Sequence, residues 1–135
     1  MNMRIKPTSF HLQWHVTEKC NFRCRHCYME REIKELPINE LRIILDQYTD
    51  MIRVWELNKN NRPRKLTIGG GEPFLRSDFF DFLKIINENR DMFTSVGVMS
   101  NGSVISKSLA KKLKNCGISG VQISLEGTEK VNDNI

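Results

Sequence analysis

Hydrophobic and polar residues alternate with a period of two near the start of the chain. Leu12, Trp14 and Val16 fall on one face, and the residues between them are polar. This period is typical of a strand with one buried face. We therefore predict a first strand over residues 10–17, with its apolar face against helices. The opposite face carries His11, Gln13 and His15.

A helical period replaces the alternation after residue 39. Apolar residues recur at intervals of three and four between Leu41 and Trp55, the stripe of an amphipathic helix, and Asn39 is its predicted N-cap. Two shorter apolar stripes predict two further helices. The residues expected to bound them are Ser77 or Asp78 for the first, and Ser106 and Gly117 for the second.

Short apolar runs at residues 66–68, 94–99 and 121–125 predict three more strands. Strands and helices then alternate with a repeat of roughly thirty residues, which is typical of an α/β fold with a parallel sheet. Right-handed crossovers place the carboxyl ends of all four strands at one edge. In the last strand we expect one face toward the helices (Val121, Ile123, Leu125) and the other toward a wet cavity (Gln122, Ser124, Glu126).

Composition narrows the class of protein. With 135 residues, 39% of them hydrophobic, the chain has the length of one soluble domain, and no apolar run approaches the ~20 residues of a membrane helix. The net charge of +5 comes from dispersed Lys and Arg residues. Because no aromatic residues interleave with these charges, we do not expect nucleic acid as a partner. Because no long apolar run is present, we do not expect a membrane as a partner either.

Three cysteines, Cys20, Cys24 and Cys27, occur at C-x3-C-x2-C spacing just after the first predicted strand. Thiolates this close together can converge on one metal centre. Three thiolates leave one iron of a cubane [4Fe-4S] cluster without a protein ligand, and an open metal position is where chemistry occurs. The spacing therefore predicts a catalytic metal cluster.

Two other interpretations of the cysteines remain. A structural zinc site of the Cys3His type would take His11, His15 or His26 as its fourth ligand. A disulfide framework is disfavoured, because an odd number of cysteines in one loop cannot pair and the chain has no signal-peptide pattern. Reduced cysteines predict a cytoplasmic location. Cys116 lies on a helical apolar stripe and is expected to be a buried free thiol.

Three further motifs follow the cysteine loop: GGEP at 70–73, SNG at 100–102 and SLEG at 124–127. With these motifs in this order, residues 10–131 resemble the radical S-adenosylmethionine (SAM) superfamily. The resemblance implies the first four strands and three helices of a (β/α)6 partial TIM barrel. It also implies that 10–135 is the N-terminal part of a radical SAM domain. Residues 1–9 are polar and include Pro7, so we expect a flexible lead-in there. Since the later strands are absent, we expect a fragment of a longer protein.

The resemblance implies two cofactors, a [4Fe-4S] cluster and SAM, and a role for each motif residue. The fourth iron would chelate SAM, the GGE residues would meet its amino group, the end of the fourth strand its ribose, and the residue before the last cysteine its adenine. The metal ligands so implied are Cys20, Cys24 and Cys27. The cofactor-binding residues so implied are His26, Gly70, Gly71, Glu72, Asn101, Ser124 and Glu126.

The motifs look most like those of peptide and protein maturases with SPASM domains. This likeness implies hydrogen abstraction from a peptide or protein by a 5'-deoxyadenosyl radical, with a flavodoxin or ferredoxin as external electron donor. Molybdenum-cofactor-type cyclases share the motifs and remain an alternative. A non-enzymatic zinc- or cluster-binding module is another.

Overall fold

The computed structural model describes residues 8–30, 34–56 and 62–134. Four strands alternate with helices along these residues. The elements are β1 (Phe10–Thr17), α1 (Ile38–Glu56), β2 (Arg64–Gly70), α2 (Phe79–Glu88), β3 (Ser95–Ser100), α3 (Lys107–Asn115), β4 (Gly120–Ile123) and a single turn, α4 (Glu129–Asn132). Two 3-10 turns lie at Pro73–Leu75 and Arg90–Met92.

The strands form one parallel sheet in the order β1-β2-β3-β4. Leu12 pairs with Leu66, which in turn pairs with Val96, so the apolar positions of three strands share one face. Because all strands run in the same direction, their carboxyl ends meet at one edge. The predicted α/β class and parallel sheet are confirmed, and the arrangement is that of the first part of a partial TIM barrel.

The core lies between this apolar face of the sheet and the helices. Trp14 of β1 meets Phe82 of α2 edge to face, with ring centroids 5.1 Å apart. Burial of such rings and aliphatic side chains supplies the main stabilisation, about 1.5–3 kcal/mol for each large side chain. The most completely buried hydrophobic side chains are Leu41, Leu45, Ile52, Leu66, Ile68, Phe79, Phe82, Leu83, Ile86, Val98 and Leu113.

Helix starts agree only in part with the sequence. The prediction of Asn39 as the N-cap of α1 is wrong: the helix begins at Ile38, and the Pro37 carbonyl accepts hydrogen bonds from the next turn. Proline suits such an entry, since its fixed φ is close to the helical value. The cap of α3 is confirmed, because Ser106 Oγ accepts from the Leu109 N–H at 3.1 Å. Gly117 follows that helix with φ of 77°.

Strand β4 ends earlier than its alternating pattern predicts. It stops at Ile123, so Leu125 lies beyond the strand, is 71% exposed and lines a cavity. The prediction that Leu125 faces the helices is therefore wrong, while Val121 does pack against the core. Of the predicted lead-in at 1–9, residues 1–7 lie outside the described residues. No helix in the described ranges is long and apolar enough to cross a membrane.

Candidate functional site

A cavity of about 620 Å³ opens at the carboxyl edge of the sheet. The segments that follow all four strands line it, because parallel strands end at the same edge. Its volume is within the usual range of small-molecule sites. Nine of the ten residues that the sequence predicts for the site line this cavity: Cys20, Cys24, His26, Cys27, Gly70, Gly71, Asn101, Ser124 and Glu126.

The cysteine loop forms one wall of the cavity. Cys20 and Cys24 are half-buried, Cys27 is exposed, and all three are reduced thiols outside any disulfide. The Cys27 N–H donates to the Cys24 carbonyl at 3.1 Å, which closes a turn, and both cysteines line the cavity. The Phe22 N–H donates to Cys20 Sγ at 3.4 Å. Such donors stabilise a thiolate, the form that binds iron.

The three thiols of the loop are a donor set that suits a cubane cluster. Within the described residues, no three His, Cys, Asp or Glu side chains converge closely enough to hold one metal ion. A zinc ion needs its ligand atoms at about 2.0–2.3 Å, whereas a cubane takes one thiolate on each of three separate irons. Of the three histidines proposed as a fourth zinc ligand, only His26 lines the cavity with the cysteines.

Gly70 and Gly71 form a second wall of the cavity, at a place where the backbone leaves no room for a side chain. A Cβ on Gly70 would lie 2.1 Å from the Thr17 carbonyl oxygen, and one on Gly71 would lie 2.3 Å from that of Lys19. Gly70 also has φ of 125°, which residues with side chains rarely adopt. These glycines therefore let the chain after β1 pass directly over the end of β2.

Glu72 does not line the cavity. Its side chain is 0% exposed, and its carboxyl group accepts three hydrogen bonds from the protein. The donors are the Phe74 N–H at 3.2 Å, the Ser100 hydroxyl at 2.9 Å and the Asn101 N–H at 2.9 Å. Glu72 thus joins the end of β2 to the end of β3, and its contact with the SAM amino group stays a prediction.

The far wall is the segment after β4. Ser124 and Glu126 are exposed there, and the Glu126 carboxylate lies 3.8 Å from His26 Nε2 across the cavity. This approach places the predicted adenine residue and the predicted ribose residue on facing sides of one opening. Of the lumen histidines, His11 shares a 2.8 Å hydrogen bond with Thr67, and the His15 ring lies 6.3 Å from that of Tyr28.

Arg76 holds the base of the cysteine loop, a role that sequence analysis missed. Its guanidinium is buried and donates to the Val16 carbonyl at 2.7 Å and to the Leu36 carbonyl at 2.6 Å. It also donates to Asp78 at 3.1 Å. The two carbonyls belong to the segments that enter and leave the loop, so one cation fixes both. A buried Arg is commonly paired, but its partners are distant in sequence.

A second tether lies beside Arg76. The Glu35 carboxylate accepts from the Thr17 hydroxyl at 2.5 Å and from Lys19 Nζ at 2.7 Å. Burial acts to raise the pKa of Glu35, but hydrogen bonds from Lys19 and Thr17, with the charges of Lys19 and Arg76, outweigh it and lower that pKa. Glu35 thus stays ionised at neutral pH and closes the loop at its base.

The fold and cavity together define a class: an α/β protein with a cofactor site of three cysteines at the carboxyl edge of a parallel half-barrel. Comparison with known families names it. The profile of the radical SAM superfamily matches residues 14–135, so the chain belongs to that superfamily. The superfamily uses a [4Fe-4S] cluster and SAM.

Individual relatives differ in the activity their names state. A GTP 3',8-cyclase of Aliarcobacter butzleri is 34% identical over 120 residues, which are 89% of this chain and 35% of that cyclase. An Fe-coproporphyrin III synthase of Methanosarcina barkeri is 31% identical over 124 residues, 89% of this chain and 28% of that synthase. The chain therefore spans about a third of the length of the curated relatives it matches.

Among solved structures, SuiB of Streptococcus suis bound to the precursor peptide SuiA superposes with a TM-score of 0.69. The match covers 94% of this chain and 27% of SuiB at 22% identity, which shows a shared fold. That residues 10–135 form the N-terminal part of a longer domain stays a prediction.

Proposed function

We propose that the protein is a radical SAM enzyme that abstracts hydrogen from a peptide or protein substrate during its maturation. The observation that carries this proposal is the cavity where three reduced cysteines meet the GGEP, SNG and SLEG segments. When bound, a reduced [4Fe-4S] cluster supplies one electron that cleaves SAM into methionine and a 5'-deoxyadenosyl radical. The protein supplies ligands, orientation and exclusion of water.

Each wall of the cavity has a proposed task. Cys20, Cys24 and Cys27 hold one iron each, which leaves the fourth iron for SAM. The backbone at Gly70 and Gly71 lies beside the methionine end of SAM, where carbonyl groups suit an ammonium. At the nucleoside end of SAM, Ser124 and Glu126 are proposed to bind the ribose, and His26 is proposed to contact the adenine.

Exposed apolar side chains at the rim of the cavity favour the proposal of a peptide substrate. Phe22, Tyr28 and Leu125 are 43%, 78% and 71% exposed there, so apolar surface is available to peptide side chains. A solved structure of similar fold, SuiB, holds a precursor peptide. Cyclisation of GTP is the second candidate, and the 34% identity to a GTP 3',8-cyclase favours it.

The proposed cofactors predict a cluster whose spectrum changes when SAM binds. After anaerobic reconstitution with iron and sulfide and reduction with dithionite, we expect an electron paramagnetic resonance signal of a [4Fe-4S] cluster that shifts when SAM is added. We also expect 5'-deoxyadenosine to form, and GTP to leave its yield unchanged. GTP-stimulated 5'-deoxyadenosine would instead favour the cyclase. A bound zinc ion, or a cluster whose spectrum ignores SAM, would contradict the proposal for this chain.

We also propose that an acidic electron-transfer protein, such as a flavodoxin or ferredoxin, docks on the outside of the cysteine loop. Arg25 lies between two of the cysteines, is exposed and does not line the cavity. Arg25 therefore places a positive charge at the solvent-facing side of the loop. Positive charge beside the cluster would steer an acidic donor to the point of electron transfer.

Reversing the charge of Arg25 should weaken binding of the electron-transfer protein and leave the cleavage of SAM unchanged. For Arg25→Glu we expect roughly a tenfold loss of affinity for flavodoxin at low ionic strength, which shrinks as salt is added. SAM cleavage driven by dithionite should be unchanged. Calorimetry and the rate of 5'-deoxyadenosine formation measure the two effects. Lys111→Glu, an equal charge reversal on α3, is the control, and equal losses in both variants would refute docking at this loop.

A further inference from the structure

The side chain of Asn101 links the end of β3 to the cysteine loop. Its Nδ2 donates to Cys20 Sγ at 3.7 Å and to Asn21 Oδ1 at 3.0 Å. Its Oδ1 accepts from the Ser103 N–H at 2.9 Å and from the Ser103 hydroxyl at 2.7 Å. A backbone N–H can only donate, so it fixes the oxygen of the amide toward Ser103 and the nitrogen toward Cys20.

This amide is held on both sides. The Asn101 backbone N–H donates to the buried Glu72 carboxyl group at 2.9 Å, and Asn21 Nδ2 donates to Ser103 Oγ at 2.8 Å. Both N–H groups of the Asn101 side chain already have partners within the protein. The arrangement therefore presents a fixed donor to one cysteine sulfur, and the contact of Asn101 with SAM stays a prediction.

We infer that Asn101 is a positioning residue that raises the reduction potential of the cluster through its hydrogen bond to Cys20. The inference rests on the proposed function, in which Cys20 binds iron. Reduction adds an electron, and part of the added negative charge resides on the cysteine sulfurs. A donor aimed at one of these sulfurs stabilises the reduced state more than the oxidised state, since hydrogen bonds to ligand sulfurs set cluster potentials.

The test is a redox titration of the reconstituted protein without SAM. Electron paramagnetic resonance monitors the reduced cluster, and the titration gives its midpoint potential. For Asn101→Leu, which is similar in size and uncharged, we expect a lower potential. The ratio of reduced to oxidised cluster at a fixed potential should fall about three- to tenfold, equal to about 28–59 mV for one electron. An unchanged or higher potential in fully loaded Asn101→Leu protein would overturn the inference.

Two further variants separate tuning from loop structure. Ser103→Ala removes the hydroxyl contacts to Asn101 and Asn21 but leaves the N–H···S hydrogen bond, so its potential should equal that of the wild type. An equal shift in Ser103→Ala would overturn the inference. If Asn101→Leu does not load, Asn101→Ala also lacks the donor and is uncharged, and it too should have a lower potential. A wild-type chain that forms no [4Fe-4S] cluster would instead refute the proposed function itself.

Discussion

Replacing Cys24 by alanine should abolish cluster assembly and, with it, all cleavage of SAM. Two thiolates would remain in the loop, and two irons of a cubane would then lack a protein ligand. We expect bound iron to fall from roughly four atoms per chain to nearly none after anaerobic reconstitution. Iron and sulfide analysis, the visible absorbance of the cluster and the yield of 5'-deoxyadenosine measure the loss.

The matched control is Cys116→Ala. This cysteine is half-buried against the core at the end of α3, away from the other three. It should keep the full iron content, with a modest loss of stability from the deleted thiol. Iron retained in full by Cys24→Ala, or lost from Cys116→Ala, would show that the cluster ligands are assigned to the wrong residues.

Glu72→Gln should destabilise the apoprotein in the absence of any cofactor. An amide has one acceptor oxygen, and its nitrogen would face the N–H and O–H donors that the carboxyl group now satisfies. Leaving one or two buried donors unpaired costs about 1–3 kcal/mol. For a chain of this size we expect the melting temperature to fall by about 4 °C for each kcal/mol. Calorimetry of the cluster-free protein measures this change.

The matched control is Glu126→Gln, at an exposed carboxylate of the same cavity. Its melting temperature should stay close to that of the wild type, since surface changes are usually within ±0.5 kcal/mol. An unchanged apoprotein in Glu72→Gln, with weaker SAM binding alone, would show that Glu72 acts through the cofactor. A fall in stability with SAM affinity retained would show that it acts by joining the ends of β2 and β3.

Local patterns were sufficient for the elements and the chemistry of the loop. The period of two at Leu12, Trp14 and Val16 correctly predicted β1, and Ser106 correctly predicted the cap of α3. Parallel order followed from the repeat length, because a parallel connection needs a crossover. Four motifs at four strand ends then predicted one site. These inferences succeeded because each depends on residues close together in sequence or on a general rule of topology.

Some errors were also local. Helix α1 begins at Ile38, one residue before the predicted cap Asn39, and the Pro37 carbonyl accepts the first hydrogen bonds of the helix. Leu125 continues the alternating sequence pattern of β4, but the strand ends at Ile123. The Leu125 side chain lines the cavity instead of packing against the helices. A pattern of apolar residues does not show where hydrogen bonding to the next strand stops.

The sequence by itself determined the α/β class, the parallel direction of the four strands, the three candidate iron ligands and the edge at which they meet. Only the tertiary structure decided what the polar groups of the site do for one another. Asn101 reaches Cys20 across 81 positions, and Arg76 reaches Val16 across 60. Hydrogen bonds act over about 3 Å, so these partners are set by the folded path of the backbone, which no local pattern of residues specifies.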